Sequence, residues 1–539
     1  AGVESRFEVT RDSVLVTFAG IGRFRGVLSD SARMISGFWL QPLGVTRERP
    51  DAVGYRQAFA TKLVLRSVAP GRWRGTVRQV PESFTLYLKI YRDAEGRLVG
   101  AFRNHDFNST GGVSLYGVAQ QGDSVFLTAR PDESQPEIRH AAARLRSPDR
   151  LRLFWRDVGT VLELERRPPD RVPNFFPRPP SQRRYVYRQP PTTGDGWTTA
   201  RARDVGIDES AIVRAVQAII DTNPALRGAP LIHSLLVARR GKLVLEEYFY
   251  GFDRDTPHDT RSAGKTFSSV MLGAAMLHGT RISPQTKVYE LLAGMGPFAN
   301  PDARKADITL AHLMTHSAGL ACDDYNDDSP GNEDKLQSHQ GDWWKYTLDL
   351  PMAHTPGTRY AYCSANMNLV GGALTIATRT WLPELFERTV ARPLQFGLWH
   401  WNLSPTDQGY LGGGSWLRPR DLLKIGQAYL DGGAWNGRRI VPAAWVREST
   451  APHVHISPAT TGLSPDDFAN CCSESDDGYA WHLGGDQYSA SGNGGQLLIV
   501  APKHDLVAVF TGANYRQGWI WSRWGGDIIE RQIIAAIRR

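Results

Sequence analysis

The sequence predicts an α+β protein built from two unequal parts. The first is an N-terminal antiparallel β barrel or sandwich; the second is an antiparallel sheet with packed helices and a helical subdomain. Three observations lead there. Residues 1–166 are a succession of short alternating runs broken by turn residues, residues 167–199 are crowded with proline, and residues 200–539 frame helical periodicity with strand-like runs at both ends. At 539 residues the chain also exceeds what one ordinary core supports, so more than one domain is expected.

In the first part the strand readings are Val14-Leu15-Val16-Thr17-Phe18, Phe84 to Tyr91, Leu98 to Phe102 and Thr160 to Leu164. Turn signals at Asp93-Ala94-Glu95-Gly96 and Gln121-Gly122-Asp123 separate such runs, a spacing typical of barrels and sandwiches. No titratable constellation stands out here, and His105 with Asp106 reads as a surface pair because no third ligand sits at a metal-like spacing. In the connector, Pro168-Pro169, Pro173, Pro177, Pro179-Pro180 and Pro190-Pro191 exclude helix and central strand, which predicts a semi-rigid spacer. Beyond it, Ser234 to Glu246 reads as a hairpin turning at Gly241, with helices expected at 264–278, 364–378, 419–431 and 442–449. Strands follow at Leu497 to Val500 and Leu506 to Phe510, and an amphipathic helix near 523–537 ends the chain. Hairpin first and strands last imply a sheet closed by both ends of this segment.

Composition narrows the function classes. With 41% hydrophobic and 22% charged residues the chain matches an ordinary soluble globular protein. The net charge of +8 comes mostly from arginines scattered among acidic residues, with no basic stripe interleaved with aromatics, so no nucleic-acid partner is expected. No run of 18 apolar residues exists, so no membrane span is expected. The sequence opens at Ala1-Gly2-Val3-Glu4, consistent with a leader removed upstream; a periplasmic or secreted location is the expectation. Of four cysteines, Cys322 and Cys363 form one candidate disulfide, with buried free thiols an equal alternative, whereas neighbouring Cys471 and Cys472 would bridge each other only with strain. His453 and His455 lack a third ligand and carry no metal expectation.

The chemistry concentrates in three segments. In Thr260-Arg261-Ser262-Ala263-Gly264-Lys265-Thr266-Phe267 the serine and lysine stand three residues apart at the front of an apolar helix, on one face. A serine hydroxyl needs an adjacent base to become a nucleophile, and a lysine whose pKa is lowered by desolvation can serve. A phosphate loop is excluded, because Asp259 occupies the position where that motif needs glycine. The second segment, Pro356-Gly357 through Tyr360-Ala361-Tyr362-Cys363-Ser364, brings an extended tyrosine to a helix that begins near Ser364, an N-cap residue type. The third, Ser489-Ala490-Ser491-Gly492-Asn493-Gly494-Gly495-Gln496, is glycine-rich and leads into a strand, so its backbone can approach a substrate and offer amides to an oxyanion.

Together these segments resemble the serine β-lactamase and penicillin-binding-protein superfamily, most closely its class C-like branch with family VIII carboxylesterases, D-amino-acid peptidases and oligoamide hydrolases. The resemblance spans about 200–539. It is reinforced by Leu313-Met314-Thr315-His316-Ser317-Ala318-Gly319-Leu320 and by Gly412-Gly413-Gly414 ahead of Pro419 to Lys424. It implies that Ser262 is the acylated nucleophile, Lys265 its proton acceptor and Tyr362 the general base that later protonates the leaving group. Ser364 stands where the family often has asparagine and would, with Ser491, face substrate, and the oxyanion hole would join the amide of Ser262 to that of Gly492 or Asn493. Where β-lactamases carry Lys-Thr-Gly, this chain has Ala490-Ser491-Gly492, losing the cation that pairs with a substrate carboxylate.

The sequence therefore predicts a cofactor-free, metal-free serine hydrolase acting on a small ester through an acyl-enzyme, with amide or D-amino-acid peptide hydrolysis as runner-up and β-lactam turnover third. A catalytically silent protein that binds a cell-wall fragment is the rival from another class. Oligomerisation is compatible with the sequence. By analogy with lipocalin-like appendages on some relatives, the N-terminal part could cover the site, dimerise or bind a ligand.

Overall fold

The computed structural model describes residues 5–10, 13–18, 21–29, 33–42, 58–81, 86–104, 114–129, 136–155, 160–168 and 171–538. His105 and Asp106, and the first residues of the strand expected from Phe84, lie outside them.

The N-terminal part is antiparallel throughout and divides into two sheets. The second of these, seven strands from Leu86–Arg92 to Thr160–Glu165 in sequential order, is a simple meander. One face packs around Phe102, Tyr116, Val125, Leu127 and Leu153, the alternate positions that period-two patterning turns inward. The first sheet does not end where the N-terminal part ends. Its strands Ser5–Thr10, Ser13–Phe18, Gly22–Leu28, Met34–Gln41 and Ala58–Ala69 continue through Trp399–Leu403 and Ser415–Leu417 to His258–Asp259.

The seam is the pairing of Trp401 with Ala60 and of His400 with Thr61, whose hydroxyl and imidazole meet at 2.7 Å. Phe38 packs edge-on against Trp381 at 5.3 Å and contacts Trp399 at 5.8 Å, which merges the first sheet with the core of the helical region. Around the seam, Arg23 pairs with Asp407 at 2.6 Å and Arg25 lies 4.3 Å over Trp381.

The C-terminal part is organised on a nine-stranded sheet that both ends of the segment complete. The hairpin Ile232–Arg239 and Lys242–Tyr248 pairs with Leu506–Gly512, placing Leu235 opposite Phe510. Gln496–Ala501, Gln487–Gly492 and His482–Gly484 follow outward. One face is covered by Pro419–Leu430 and the helical block that includes Phe267–Leu277 and Ser364–Thr378, the other by Glu209–Ile220 and the C-terminal turns. Expected helices at 364–378, 419–431 and 442–449 are present at Ser364–Thr378, Pro419–Leu430 and Ala443–Ser449. The expected terminal helix is also present, wound wide (π) over Gly525–Ile533 with Ile528, Ile529 and Ile533 buried, and tightening to a 3-10 turn over Ile534–Ala536. Among the described residues, no helix is long and apolar enough to cross a membrane.

The proline-rich connector differs from the semi-rigid spacer that its composition suggests. Its aromatic and acidic residues fasten it to the C-terminal part. The Tyr187 hydroxyl donates to Val244 O at 2.8 Å, Tyr185 to Glu247 at 2.9 Å, and the Trp197 indole to Arg420 O at 3.2 Å. Asp195 meets Arg420 at 2.6 Å, and the other side of the same guanidinium meets Glu246, also at 2.6 Å. Burial alone would raise the Asp195 carboxyl, but Arg420 and Lys424 outweigh it and hold it well below its ordinary value.

Arg420 is 1% exposed, and removing it leaves Asp195 to Lys424 at 3.6 Å and Glu246 to Arg254 at 3.3 Å, both away from water. Arg420→Ala is expected to lower stability by about 3–5 kcal/mol in urea denaturation of the full chain, the cost of breaking a buried ion pair from one side. A loss under about 1 kcal/mol would show the network to be solvent-screened instead.

Candidate active site

The segment that carries Ser262 is bent before it is helical. Arg261 has φ 47°, the left-handed region that non-glycine residues enter at a cost of about 1 kcal/mol or more. Asp259 stabilises the bend: its Oδ1 accepts from Arg261 N at 2.9 Å, and its Oδ2 pairs with Arg261 Nε at 2.9 Å. Thr260 N donates to Ser415 O at 2.9 Å, which ties the bend to the sheet that begins in the N-terminal part. A tight turn over Arg261–Thr266 precedes the α-helix Phe267–Leu277, so the helix starts three residues later than its periodicity suggests. Ser262 sits in the first turn, where backbone N–H groups lack intrahelical acceptors.

Lys265 is 5% exposed, and its ammonium donates to Ser262 Oγ at 3.0 Å. Its Nζ lies 4.9 Å from the centre of the Tyr362 ring, and both Lys265 and Ser262 act on the Tyr362 phenol to lower its pKa. Residues about a hundred positions apart in the chain thus meet within proton-passing reach. The charge state differs from the sequence-based expectation. Burial pushes the Lys265 pKa down, but Tyr362, Glu333 and Asp324 outweigh burial and the net direction is up. Burial also pushes the Tyr362 phenol up, more than Lys265 pulls it down. The pair at rest is ammonium and phenol.

The acid that does much of this was not apparent in the sequence. Asp324 lies in Asp323-Asp324-Tyr325-Asn326-Asp327-Asp328, a run that reads as a solvated loop. In the fold its N–H donates to Tyr362 O at 2.8 Å, and its Oδ2 accepts from both the amide and the hydroxyl of Ser364 at 2.7 Å each. Its Oδ1 accepts from Glu333 N at 2.9 Å. Burial, then the Glu333 carboxylate, push the Asp324 carboxyl up to about 7. The Cys322–Cys363 disulfide, with Cα atoms 5.6 Å apart, closes the loop that carries Asp324 and Tyr362.

Ser364, expected to face substrate, is fully buried with its hydroxyl committed to Asp324. It is also not the helix cap; that position is Cys363, whose Sγ accepts from Asn366 N at 3.2 Å.

Two histidines complete the floor. His316 Nδ1 accepts from Cys363 N at 3.0 Å, and its ring lies 4.6 Å from that of Tyr362; burial, then Lys265, hold it well below its ordinary pKa and therefore neutral. His482, beside Asp477 at 2.9 Å, is held above its ordinary value by that carboxylate. Tyr325, 70% exposed, lies 5.6 Å from the Tyr362 ring at the mouth.

The glycine-rich segment arrives from the opposite side. Gly492 ends the strand Gln487–Gly492, paired with Gln496, and packs directly on the serine turn. A Cβ there would fall 2.4 Å from Thr260 O and 2.9 Å from Ala263 N. Ser491 precedes it, half-buried in the same strand. Asn493 follows it, exposed, with its side-chain oxygen accepting from Arg516 N at 2.7 Å. Among the described residues no group of three His, Cys, Asp or Glu side chains could hold a metal. His455 is occupied with Asp476, and His453 with the Glu448 carbonyl.

A family model described as Beta-lactamase matches residues 217–515, more than half of the chain. No curated protein matches. Among solved structures, one from Bacillus anthracis described as a 6-aminohexanoate-dimer hydrolase is similar at 17% identity and TM-score 0.48, over 57% of this chain and 81% of that one. EstCE1, described as a hydrolase with promiscuous acyltransferase activity, is similar at 15% identity and TM-score 0.47, over 62% and 99%. A penicillin-binding protein homolog from Caulobacter crescentus is similar at 13% identity and TM-score 0.44, over 59% and 93%.

Because the atoms a Cβ at 492 would strike are backbone, they cannot step aside. Gly492→Ala is expected to lower stability by about 1–3 kcal/mol, the usual cost of overpacking, in urea denaturation. A neutral effect would mean that strand and serine turn are less tightly apposed than described.

Proposed function

Because the chain belongs to the β-lactamase family, we propose that it is a serine hydrolase that cleaves small carboxylic esters through an acyl-enzyme on Ser262. The observation that carries the reading is the Lys265 ammonium at 3.0 Å from Ser262 Oγ and 4.9 Å from the centre of the Tyr362 ring.

The resting pair holds one proton too many to accept another, so the active form is the one that has lost it. In that form Ser262 Oγ attacks the ester carbonyl and its proton passes to the Tyr362 oxygen, whose phenolate the adjacent Lys265 ammonium stabilises. The carbonyl oxygen becomes an oxyanion, stabilised by the N–H of Ser262 and that of Asn493, the exposed residue after the strand. As the C–O bond breaks, Tyr362 returns the proton to the departing alkoxide. Water then repeats the sequence: it adds to the acyl carbon, gives its proton to Tyr362, and Ser262 Oγ leaves with that proton as the carboxylic acid is released. Asp324 and His316 do not touch the reacting atoms in this scheme. Asp324 favours the ammonium and anchors the backbone on both sides of Tyr362, and neutral His316 supports the ring.

Esters are favoured over substrates that require recognition of a carboxylate, because Ala490-Ser491-Gly492 offers no cation to the acyl side. Amides are the second reading, since the same acyl transfer serves them with a poorer leaving group.

Ser262→Ala is expected to reduce p-nitrophenyl butyrate hydrolysis by at least about 1,000-fold, and Tyr362→Phe by about 100- to 10,000-fold. Unchanged turnover in Ser262→Ala would sink the mechanism. In a panel with a D-aminoacyl amide and a chromogenic cephalosporin, the ester is expected to show the highest kcat/KM; a faster amide or cephalosporin reassigns the substrate class.

The pH dependence has a definite sign. Both pKa values are raised, so the pair keeps its extra proton to higher pH and the competent form grows as pH rises. Ester kcat/KM, corrected for spontaneous hydrolysis, is therefore expected to climb from about pH 6 to about pH 9. A falling profile over that range would contradict the assignment of charge.

A further inference from the structure

Behind the floor of the cleft lies a separate cavity of about 270 Å³ that includes none of Ser262, Lys265 and Tyr362 in its lining. Tyr360 forms part of its wall. The His316 ring, 4.6 Å from Tyr362, is also 5.7 Å from Tyr360, so the histidine stands between this cavity and the reacting groups. We propose that the cavity is a binding site for a small organic carboxylate with a flat body, an inference that goes beyond the hydrolase reading and does not rest on it.

The donors on its wall define the ligand. Arg359 is the charged residue at the cavity, no acidic residue lines it, and among the described residues no carboxylate pairs with that guanidinium. His312 supplies a second donor of fixed identity. Its Nδ1 accepts from Thr309 N at 3.3 Å, so in the neutral ring the proton resides on Nε2. That nitrogen faces Gly357, where the absence of a side chain leaves it accessible: a Cβ there would be 3.3 Å away. Tyr360 also lines the cavity. A guanidinium with an imidazole N–H, and no carboxylate on the lining, is matched to an oxyanion and mismatched to a cation.

The remaining wall defines the body. His453 stacks on Tyr479 with ring centres 3.8 Å apart and planes within 11°, and Tyr479 is in turn stacked 5.6 Å from Trp445. A three-ring stack presents a flat face suited to an aryl or similarly planar group, which inorganic phosphate does not have. The volume accommodates a compact molecule such as an aromatic monocarboxylate and not a peptide.

The test is a titration of the full chain with sodium benzoate and, separately, with inorganic phosphate, followed by calorimetry. Benzoate is expected to saturate with a Kd between about 10 µM and about 1 mM, with phosphate at least about tenfold weaker. Arg359→Gln should weaken benzoate at least about tenfold, while Ser262→Ala should leave it unchanged. Absence of saturation by about 10 mM overturns the proposal. So does phosphate binding as tightly as benzoate, or loss of binding in Ser262→Ala with retention in Arg359→Gln, which would locate benzoate in the cleft. Should Arg359→Gln not fold, phenylglyoxal modification of Arg359 in the unaltered chain decides: benzoate is expected to slow it at least about fivefold, and an unaltered rate overturns the site.

Discussion

A lysine ammonium enclosed by protein yet kept charged is the constraint around which the C-terminal part is arranged. An isolated cation at the position of Lys265 would shed its proton, because burial of charge costs several kcal/mol. Glu333 and Asp324 prevent this in the resting state, and each needs its own support. Asp324 takes three hydrogen bonds from Ser364 and Glu333, and the loop that carries it is closed by the Cys322–Cys363 bridge. Tyr410 donates to the Glu333 carboxylate, and Gln337 donates to it at 2.9 Å. The result is a layered arrangement in which structural acids set the charge of a lysine that touches the serine.

Several parts of this were legible in the chain. The helix over Ser364–Thr378 was readable because an apolar stretch begins directly after the extended Tyr360-Ala361-Tyr362 piece. The closing of one sheet by a hairpin near its start and strands near its end followed from alternating patterns of opposite position in the chain. The closeness of Ser262 and Lys265 was visible through their spacing, whereas Tyr362 was singled out by the family resemblance.

Other features left no local mark. Asp324 belongs to a run of acids whose neighbours are exposed, and only tertiary placement distinguishes it from Asp327 or Asp328. The role of Ser364 was misread for the same reason: its partner lies forty residues away. The left-handed backbone at Arg261 is imposed by Asp259 and the packing of Gly492, against the preference of arginine itself. The raised Lys265 pKa illustrates the limit most clearly, since desolvation is guessable from an apolar helix but the carboxylates that outweigh it are not.

The pairing of Trp401 with Ala60 has a consequence for how the protein can be divided. Composition suggests cutting near the prolines, yet a fragment lacking its first strands would leave Trp399–Leu403, buried along its whole length in the intact molecule, as an open β border. Such a border recruits whatever strand is nearest, usually another copy. The N-terminal strands therefore do more than precede the half that carries the serine: they cover a hydrogen-bonding ledge that this half would otherwise present.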